Sequence, residues 1–246
     1  MITFDDFIGQ DPIKEELKKA AGHHVHILLR GPSGWGKTML AEITASMRGS
    51  YDLVGAMDFD LSSLNSSAVT HIVDEVHRLV NPEQLYDVMT IVPFIFCTTD
   101  TAELRETLTN RCISLTLQPY QKVELMLIGH RKYEVLDPSV LTLLASRSRG
   151  TPRTMLQLCE RVTINVEDVK DYFAVKSFLD KVGVLNGGYT VNDHLYLENL
   201  KLLGRASAQT MASVLRVPLL TVTNEIEPFL LREKKIAITS RGRVIR

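Results

Sequence analysis

Between residues 25 and 43 an apolar run, a glycine-rich turn and a mostly apolar segment follow one another without a break. No other stretch constrains the fold as much. The run Val25-His26-Ile27-Leu28-Leu29 is short enough for a buried strand, and Met39-Leu40-Ala41-Glu42-Ile43 continues as a helix. Between them stands Arg30-Gly31-Pro32-Ser33-Gly34-Trp35-Gly36-Lys37-Thr38, which fits G-x-x-x-x-G-K-[ST] at Gly31, Gly36, Lys37 and Thr38. Glycines let such a loop wrap a phosphate chain with its N–H groups pointing inward, and the following helix adds its positive end. Lys37 is expected on the β- and γ-phosphates and the Thr38 hydroxyl on Mg²⁺. Pro32, Ser33, Gly34, Trp35 and Met39 complete the loop's nucleotide-binding set. Upstream, Phe4, Phe7 and Ile8 can wall an adenine pocket or serve as plain core.

A second apolar run, Thr70-His71-Ile72-Val73-Asp74-Glu75, ends in two acids. The expected place for it is beside the phosphate-loop strand, where Asp74 can hold Mg²⁺ and Glu75 can polarise an attacking water. A third run, Ile91-Val92-Pro93-Phe94-Ile95-Phe96-Cys97, leads to Thr98-Thr99-Asp100, where a hydroxyl could touch the γ-phosphate. Further strands are expected at 51–60 and 113–117, with helices at 11–21 and 82–89 and a polar connection at 61–67. Strands alternating with helices predict an α/β domain with a parallel sheet covered on both faces.

From Gln118 the pattern becomes helical, with segments at 121–132, 138–146, after Thr151-Pro152, and 167–182. Asn186-Gly187-Gly188 reads as a linker. Three more helices are expected at 192–203, 206–215 and 218–232, the last kinked or cut short by Pro228. A hairpin through Ile236–Thr239, Ser240-Arg241-Gly242 and Val244-Ile245 follows, which makes a winged-helix pattern. The chain is nearly neutral at −1, but nine basic residues against three acidic ones lie between Lys201 and Arg246, a hint of an anionic partner at that end.

The three cysteines are far apart and lack C-x-x-C spacing, so they read as reduced thiols. No signal peptide and no membrane-length apolar run is found, which makes the cytoplasm the expected compartment. His23, His24 and His26 lack neighbouring ligands for a metal. His71 and His77 flank the Asp74-Glu75 pair outside any H-E-x-x-H order.

In this order the elements resemble the AAA+ ATPases, and among them the RuvB family of bacterial Holliday-junction branch-migration motors. Phe4-Asp5-Asp6-Phe7-Ile8-Gly9-Gln10 looks like that family's adenine-side box. Gly31–Thr38 and Val73-Asp74-Glu75-Val76-His77-Arg78-Leu79 match its Walker motifs, and Thr98-Thr99 its first sensor. Asn110-Arg111 falls on its arginine finger, Tyr120 on a tyrosine near the adenine, and Ser148-Arg149-Gly150-Thr151-Pro152-Arg153 on its second sensor. Glu227-Pro228-Phe229-Leu230-Leu231 and Ser240-Arg241-Gly242-Arg243-Val244 resemble its DNA-contacting C-terminus.

The resemblance implies an ATPase with an AAA+ P-loop domain at 1–117, an all-α lid at 118–184 and a winged helix at 185–246. ATP and Mg²⁺ are its cofactors. Glu75 activates water, Asp74 and Thr38 hold the metal, Thr99 senses the γ-phosphate and Arg153 closes the lid. Arg111 acts in trans on a neighbour's ATP, which implies a homo-oligomer, with a hexameric ring expected. Arg241, Arg243, Lys234 and Lys235 are the expected contacts to duplex or junction DNA.

The chain also departs from the family. It is cut down between the first helix and the Asp74 strand. Between Leu79 and Val92 it has only a short segment where the family inserts the β-hairpin that docks RuvA. That argues for a protein partner other than RuvA, if one is used. Trp35 replaces a small or aliphatic residue and is expected to pack on a neighbouring subunit or stand partly exposed. The leading function is an ATP-driven DNA motor. The alternatives are an ATP-switched adaptor of the helicase-loader or clamp-loader kind and a winged-helix regulator that uses ATP as a signal.

Overall fold

The computed structural model describes residues 2–63, 69–99 and 104–246. They pack as two compact units, Met1–Ile128 with Thr151–Arg153, and Gly129–Gly150 with Thr154–Arg246.

The first unit is built on a five-stranded sheet. Its strands are β1 (His26–Arg30), β2 (Tyr51–Gly55), β3 (Thr70–Asp74), β4 (Phe94–Thr98) and β5 (Cys112–Thr116), in the order β2-β3-β4-β1-β5. Every pairing is parallel. The middle strands are apolar at their centres because both faces are covered. Ile27, Leu28, Leu29, Ile72, Val73, Phe94, Ile95, Phe96 and Cys97 are all fully buried. Alternate residues take opposite faces, so Leu28, Val73, Phe94 and Phe96 share one side. There they pack with Leu85 and Met89 around α3 (Leu85–Val88) and with Leu108 of α4 (Glu106–Thr109). The rings of Phe94 and Phe96 stack with centroids 5.4 Å apart. Helices α1 (Asp11–Ala21) and α2 (Lys37–Arg48) complete the unit's main framework.

Three expectations need correction. β3 does not neighbour β1, because β4 lies between them and pairs with both. β4 starts at Phe94 rather than Ile91: Pro93 cannot donate to a ladder, although its carbonyl accepts from His71 N at 3.2 Å. β2 stops at Gly55, where the chain turns into a 3-10 helix at Ala56–Asp58. Part of the expected connection at 61–67, and Asp100, fall outside the described residues. Between Leu79 and Pro93 the chain forms a 3-10 turn (Pro82–Gln84) and α3, and no β-hairpin.

Helix α5 (Lys122–Lys132) precedes α6 (Pro138–Arg147), α7 (Pro152–Asn165) and α8 (Tyr172–Lys181). Asp137 caps α6 by accepting from Ser139 N at 2.8 Å, with Pro138 in the first turn where a missing N–H costs nothing. α8 begins later than expected because Asp171 caps it, accepting from Phe173 N.

The C-terminal elements are α9 (Val191–Leu203), α10 (Ala208–Leu215), a composite third helix and the hairpin β6 (Ile236–Thr239) with β7 (Gly242–Ile245). Tyr196, Leu200, Met211, Val222, Leu230 and Ile236 form their core. The third helix runs from α11 (Leu219–Thr221) through a π-helical turn (Val222–Ile226) into α12 (Glu227–Arg232). Pro228 therefore neither ends the helix nor breaks it off early. The wider π-helical turn lies immediately before the ring, where an ordinary α-helix would meet its clash.

Candidate nucleotide site and basic wing

The phosphate loop closes over the C-terminal ends of β1 and β4. Gly31 N donates to Thr98 O at 3.2 Å, which ties the loop's first residue to the strand carrying the Thr98-Thr99 pair. Gly34 (φ +79°) and Gly36 (φ +92°) take left-handed backbone that other residues adopt only under strain. The space is closed as well. A Cβ on Gly36 would sit 2.8 Å from the Phe7 ring, and one on Gly34 would sit 2.8 Å from Arg153 Cβ.

Lys37 is buried at the start of α2, with Nζ donating to the carbonyls of Gly31 at 2.8 Å and Pro32 at 3.1 Å. Burial lowers its pKa, and the carboxylates of Glu75 and Asp74 pull the other way. A buried ammonium held only by loop carbonyls is a ready partner for phosphate oxygens. One residue on, the Thr38 hydroxyl donates to Asp74 Oδ2 at 2.8 Å. Among the described residues no group of three or more His, Cys, Asp or Glu could hold a metal alone. A hydroxyl joined to one carboxylate suits Mg²⁺, which keeps water and substrate phosphates as its remaining ligands.

Glu75 takes left-handed backbone (φ 54°) although it is not a glycine. Its N–H donates to Asp74 Oδ1 at 2.9 Å, so the Asp74 carboxylate joins the Thr38 hydroxyl through Oδ2 and the Glu75 amide through Oδ1. Its Oε2 accepts from Thr99 Oγ1 at 2.7 Å. His77 Nδ1 stands 3.4 Å from the same oxygen and 3.0 Å from Thr98 Oγ1. Thr99 thus holds the carboxylate directly, and His77 faces both it and the Thr98 hydroxyl. His77 lies two residues past Glu75, and that spacing is the signal that could have marked it.

Arg153 Nη1 donates to Ser33 Oγ at 3.0 Å, and its backbone N donates to Gly34 O at 3.3 Å. Arg153 and the loop therefore meet. Beside the loop, Tyr120 Oη donates to Trp35 O at 2.9 Å, and the two rings meet edge to face at 6.2 Å. Gln10 locks this corner, donating to Gln118 O at 2.7 Å and accepting from Gln118 N at 2.8 Å. That pair joins residues 108 apart in sequence and escapes any reading of local pattern. Ile8 is half-buried in the same segment, and Pro32 and Met39 flank the loop, the first exposed and the second half-buried. Trp35 is buried, at 4% exposure, which corrects the expectation of a partly exposed or subunit-facing ring. Tyr120 supplies one wall from within the chain. Arg111 is exposed, with Cζ 4.7 Å from the Tyr86 ring centroid.

In the wing, Arg241 sits exposed at the hairpin turn, and Lys234 and Lys235 are exposed just before β6. Arg243 differs from the expectation of a DNA contact. Its Nε donates to Glu227 Oε1 at 2.9 Å and its Nη2 to Oε2 at 3.1 Å, while Tyr196 Oη donates to the same carboxylate at 2.9 Å. A bidentate partner at a nearly buried carboxylate makes Arg243 a brace between the wing and the third helix.

The model of the RuvB C-terminal winged helix domain matches residues 186–246, and that of magnesium chelatase subunit ChlI matches residues 3–76. The Holliday junction branch migration complex subunit RuvB of Campylobacter hominis is 31% identical over 293 residues, covering 99% of this chain and 86% of its own. Its counterpart from Bdellovibrio bacteriovorus is 33% identical over 301 residues, covering 98% and 89%. Both alignments run longer than the 246 residues here, so these relatives carry internal segments without a counterpart in this chain. The Thermotoga maritima RuvB Holliday junction branch migration motor superposes with a TM-score of 0.86 at 29% identity, covering 99% of this chain and 94% of its own.

Proposed function

The chain belongs to the RuvB family, and from that membership we propose that it is an ATP-hydrolysing motor that moves Holliday-junction or duplex DNA. The observation that carries the reading is the joined pair of contacts at the strand ends, Thr38 to Asp74 at 2.8 Å and Thr99 to Glu75 at 2.7 Å.

In this proposal Gly31 through Met39 wrap the phosphates and Lys37 exchanges its loop carbonyls for β- and γ-oxygens. Thr38 and Asp74 hold Mg²⁺, which would neutralise charge on those oxygens. Glu75 accepts the proton of the attacking water, and Thr99 and His77 keep its carboxylate aimed. Ile8, Trp35 and Tyr120 shape the adenine side. Arg153 closes on the phosphates from the start of α7. Arg111 acts on the ATP of a neighbouring copy, a contribution of about 10³–10⁵ in rate where such fingers operate. This requires a ring-like homo-oligomer, which we take to be hexameric, of three-part subunits divided at 117/118 and 184/185.

Arg241, Lys234 and Lys235 hold DNA through phosphates, which carry affinity and salt dependence rather than sequence. Residues 79–93 lack the hairpin by which the family docks RuvA, so the motor works without RuvA or with another partner. The family relationship favours this motor over an adaptor.

The test is the rate of ATP hydrolysis without DNA and with single strand, duplex or four-way junction, with Glu75→Gln as the blank. Stimulation by duplex or junction is expected. A rate indifferent to every DNA would overturn the motor reading.

A further inference from the structure

The segment Asn186-Gly187-Gly188 joins α8 to α9 and reads as a linker, yet two arginines clasp it. Arg147 is fully buried at the end of α6. Its Nη1 donates to Asp180 Oδ1 at 2.7 Å and Val184 O at 2.6 Å, and its Nη2 to Asn186 Oδ1 at 2.9 Å. Arg149, two residues on, has left-handed backbone (φ 55°) and reaches further along the same connection. Its Nε donates to Gly188 O and its Nη1 to Glu225 O, both at 2.9 Å. Its Nη2 donates to the buried Asp193 carboxylate and, at 3.3 Å, to Thr190 Oγ1.

The Arg149 Cζ lies 4.5 Å from the Phe229 ring centroid. Arg232 approaches that ring too, at 5.5 Å, and donates to Arg149 O. Gly188 shows how tightly the chains meet. A Cβ there would stand 3.1 Å from Arg149 N and 3.2 Å from Arg147 O.

A flexible glycine linker lets its flanking domains turn independently. Here the planar fork of Arg149 joins the end of α6, the connection, the capping box of α9 and the third helix. To open it would strand a buried Asp193 charge. Arg149 is followed by Gly150-Thr151-Pro152 and then Arg153, whose side chain touches the phosphate loop.

We propose that Arg149 is a positioning residue that couples hydrolysis to DNA movement: it clamps the winged helix to the chain segment that carries Arg153, so that displacement of that segment is delivered to the wing. The inference rests on the motor reading. A lysine would keep the charge but lose the fork and the flat face over Phe229.

The test uses the full chain as wild type, Arg149→Ala, Arg149→Lys and the milder Arg232→Ala, with nitroxide labels at Ser177 on α8 and Gln209 on α10. Two quantities are read: the distribution of label distances, and ATP consumed per base pair of four-way-junction migration. The expected wild-type distribution is narrow. Both Arg149 variants broaden it and raise ATP consumed per base pair by about tenfold, within the range of ordinary coupling energies. Arg232→Ala shifts both readouts the same way by less, and decides the matter if Arg149→Ala fails to fold. Narrow distances in the variants, or broad distances with unchanged ATP cost, would overturn the coupling role. A wild type that moves no DNA while its label distances are narrow would overturn the motor reading and the coupling role with it, leaving the clasp as a structural feature alone.

Discussion

Glu75 occupies backbone space that costs a non-glycine residue on the order of 1–3 kcal/mol, and the hydrogen bonds around it hold it there. Its amide is bound by Asp74, and its carboxylate is held by Thr99 and faced by His77. This predicts a graded response. Glu75→Gln removes the base and lowers hydrolysis by about 10²–10⁴-fold, with nucleotide affinity retained. Thr99→Val leaves the base but frees it, so its rate falls between wild type and Glu75→Gln. Single-turnover hydrolysis beside an equilibrium nucleotide titration checks this, and Thr99→Val at the wild-type rate would contradict it. That Lys37, Thr38, Asp74, Glu75 and Thr99 come together was legible in the sequence because motif spacing and strand ends place them. His77 and Gln10 were not, since their partners Thr98 and Gln118 are brought close only by the fold. Trp35 was misread and the internal partner of Arg243 was missed for the same reason: Tyr120 against the ring and a buried Glu227 are tertiary facts.

At the scale of elements, the alternation of strands and helices was legible and the strand order was not. Apolar runs show that strands are buried but not which are neighbours, so the insertion of β4 between β1 and β3 appears only in the pairing. The π-helical turn before Pro228 and the clasped Asn186–Gly188 connection were hidden too. Proline and glycine announce a local irregularity without telling how neighbours absorb it. Two histidines in the sheet region give a measurable consequence. His26 Nδ1 accepts from Phe94 N at 3.1 Å, which requires the unprotonated nitrogen. His71 lies against the Phe94 ring at 5.4 Å, with Asp52 at 3.8 Å facing it. Burial lowers the pKa of both, outweighing Asp52 at His71, with His24 adding to the effect at His26. Their folded pKa values thus lie below the unfolded value of about 6.5. Stability is complete above that pH and is lost as pH falls through it towards the folded values, because the unfolded chain takes up protons first. Melting temperature should fall from about pH 7.5 to 5.5, and less steeply in His71→Gln. An identical slope in the variant would exclude His71 as a source.

At the scale of the whole molecule, the order of a phosphate-loop domain, lid helices and winged helix was legible because each has its own periodicity and punctuation. The basic excess after Lys201 is carried in part by Lys234, Lys235 and Arg241, which are exposed, while Arg243 is spent on internal structure. What separates this chain from its longer relatives is the internal segments it lacks, and its own stretch between Leu79 and Pro93 forms no β-hairpin. The measurement that tests the central claim most directly is branch migration of a labelled four-way junction by this chain alone with ATP and Mg²⁺, beside Glu75→Gln. The account predicts ATP-dependent strand exchange without RuvA, absent in the variant. Junction strands that stay in place while ATP is hydrolysed would contradict it.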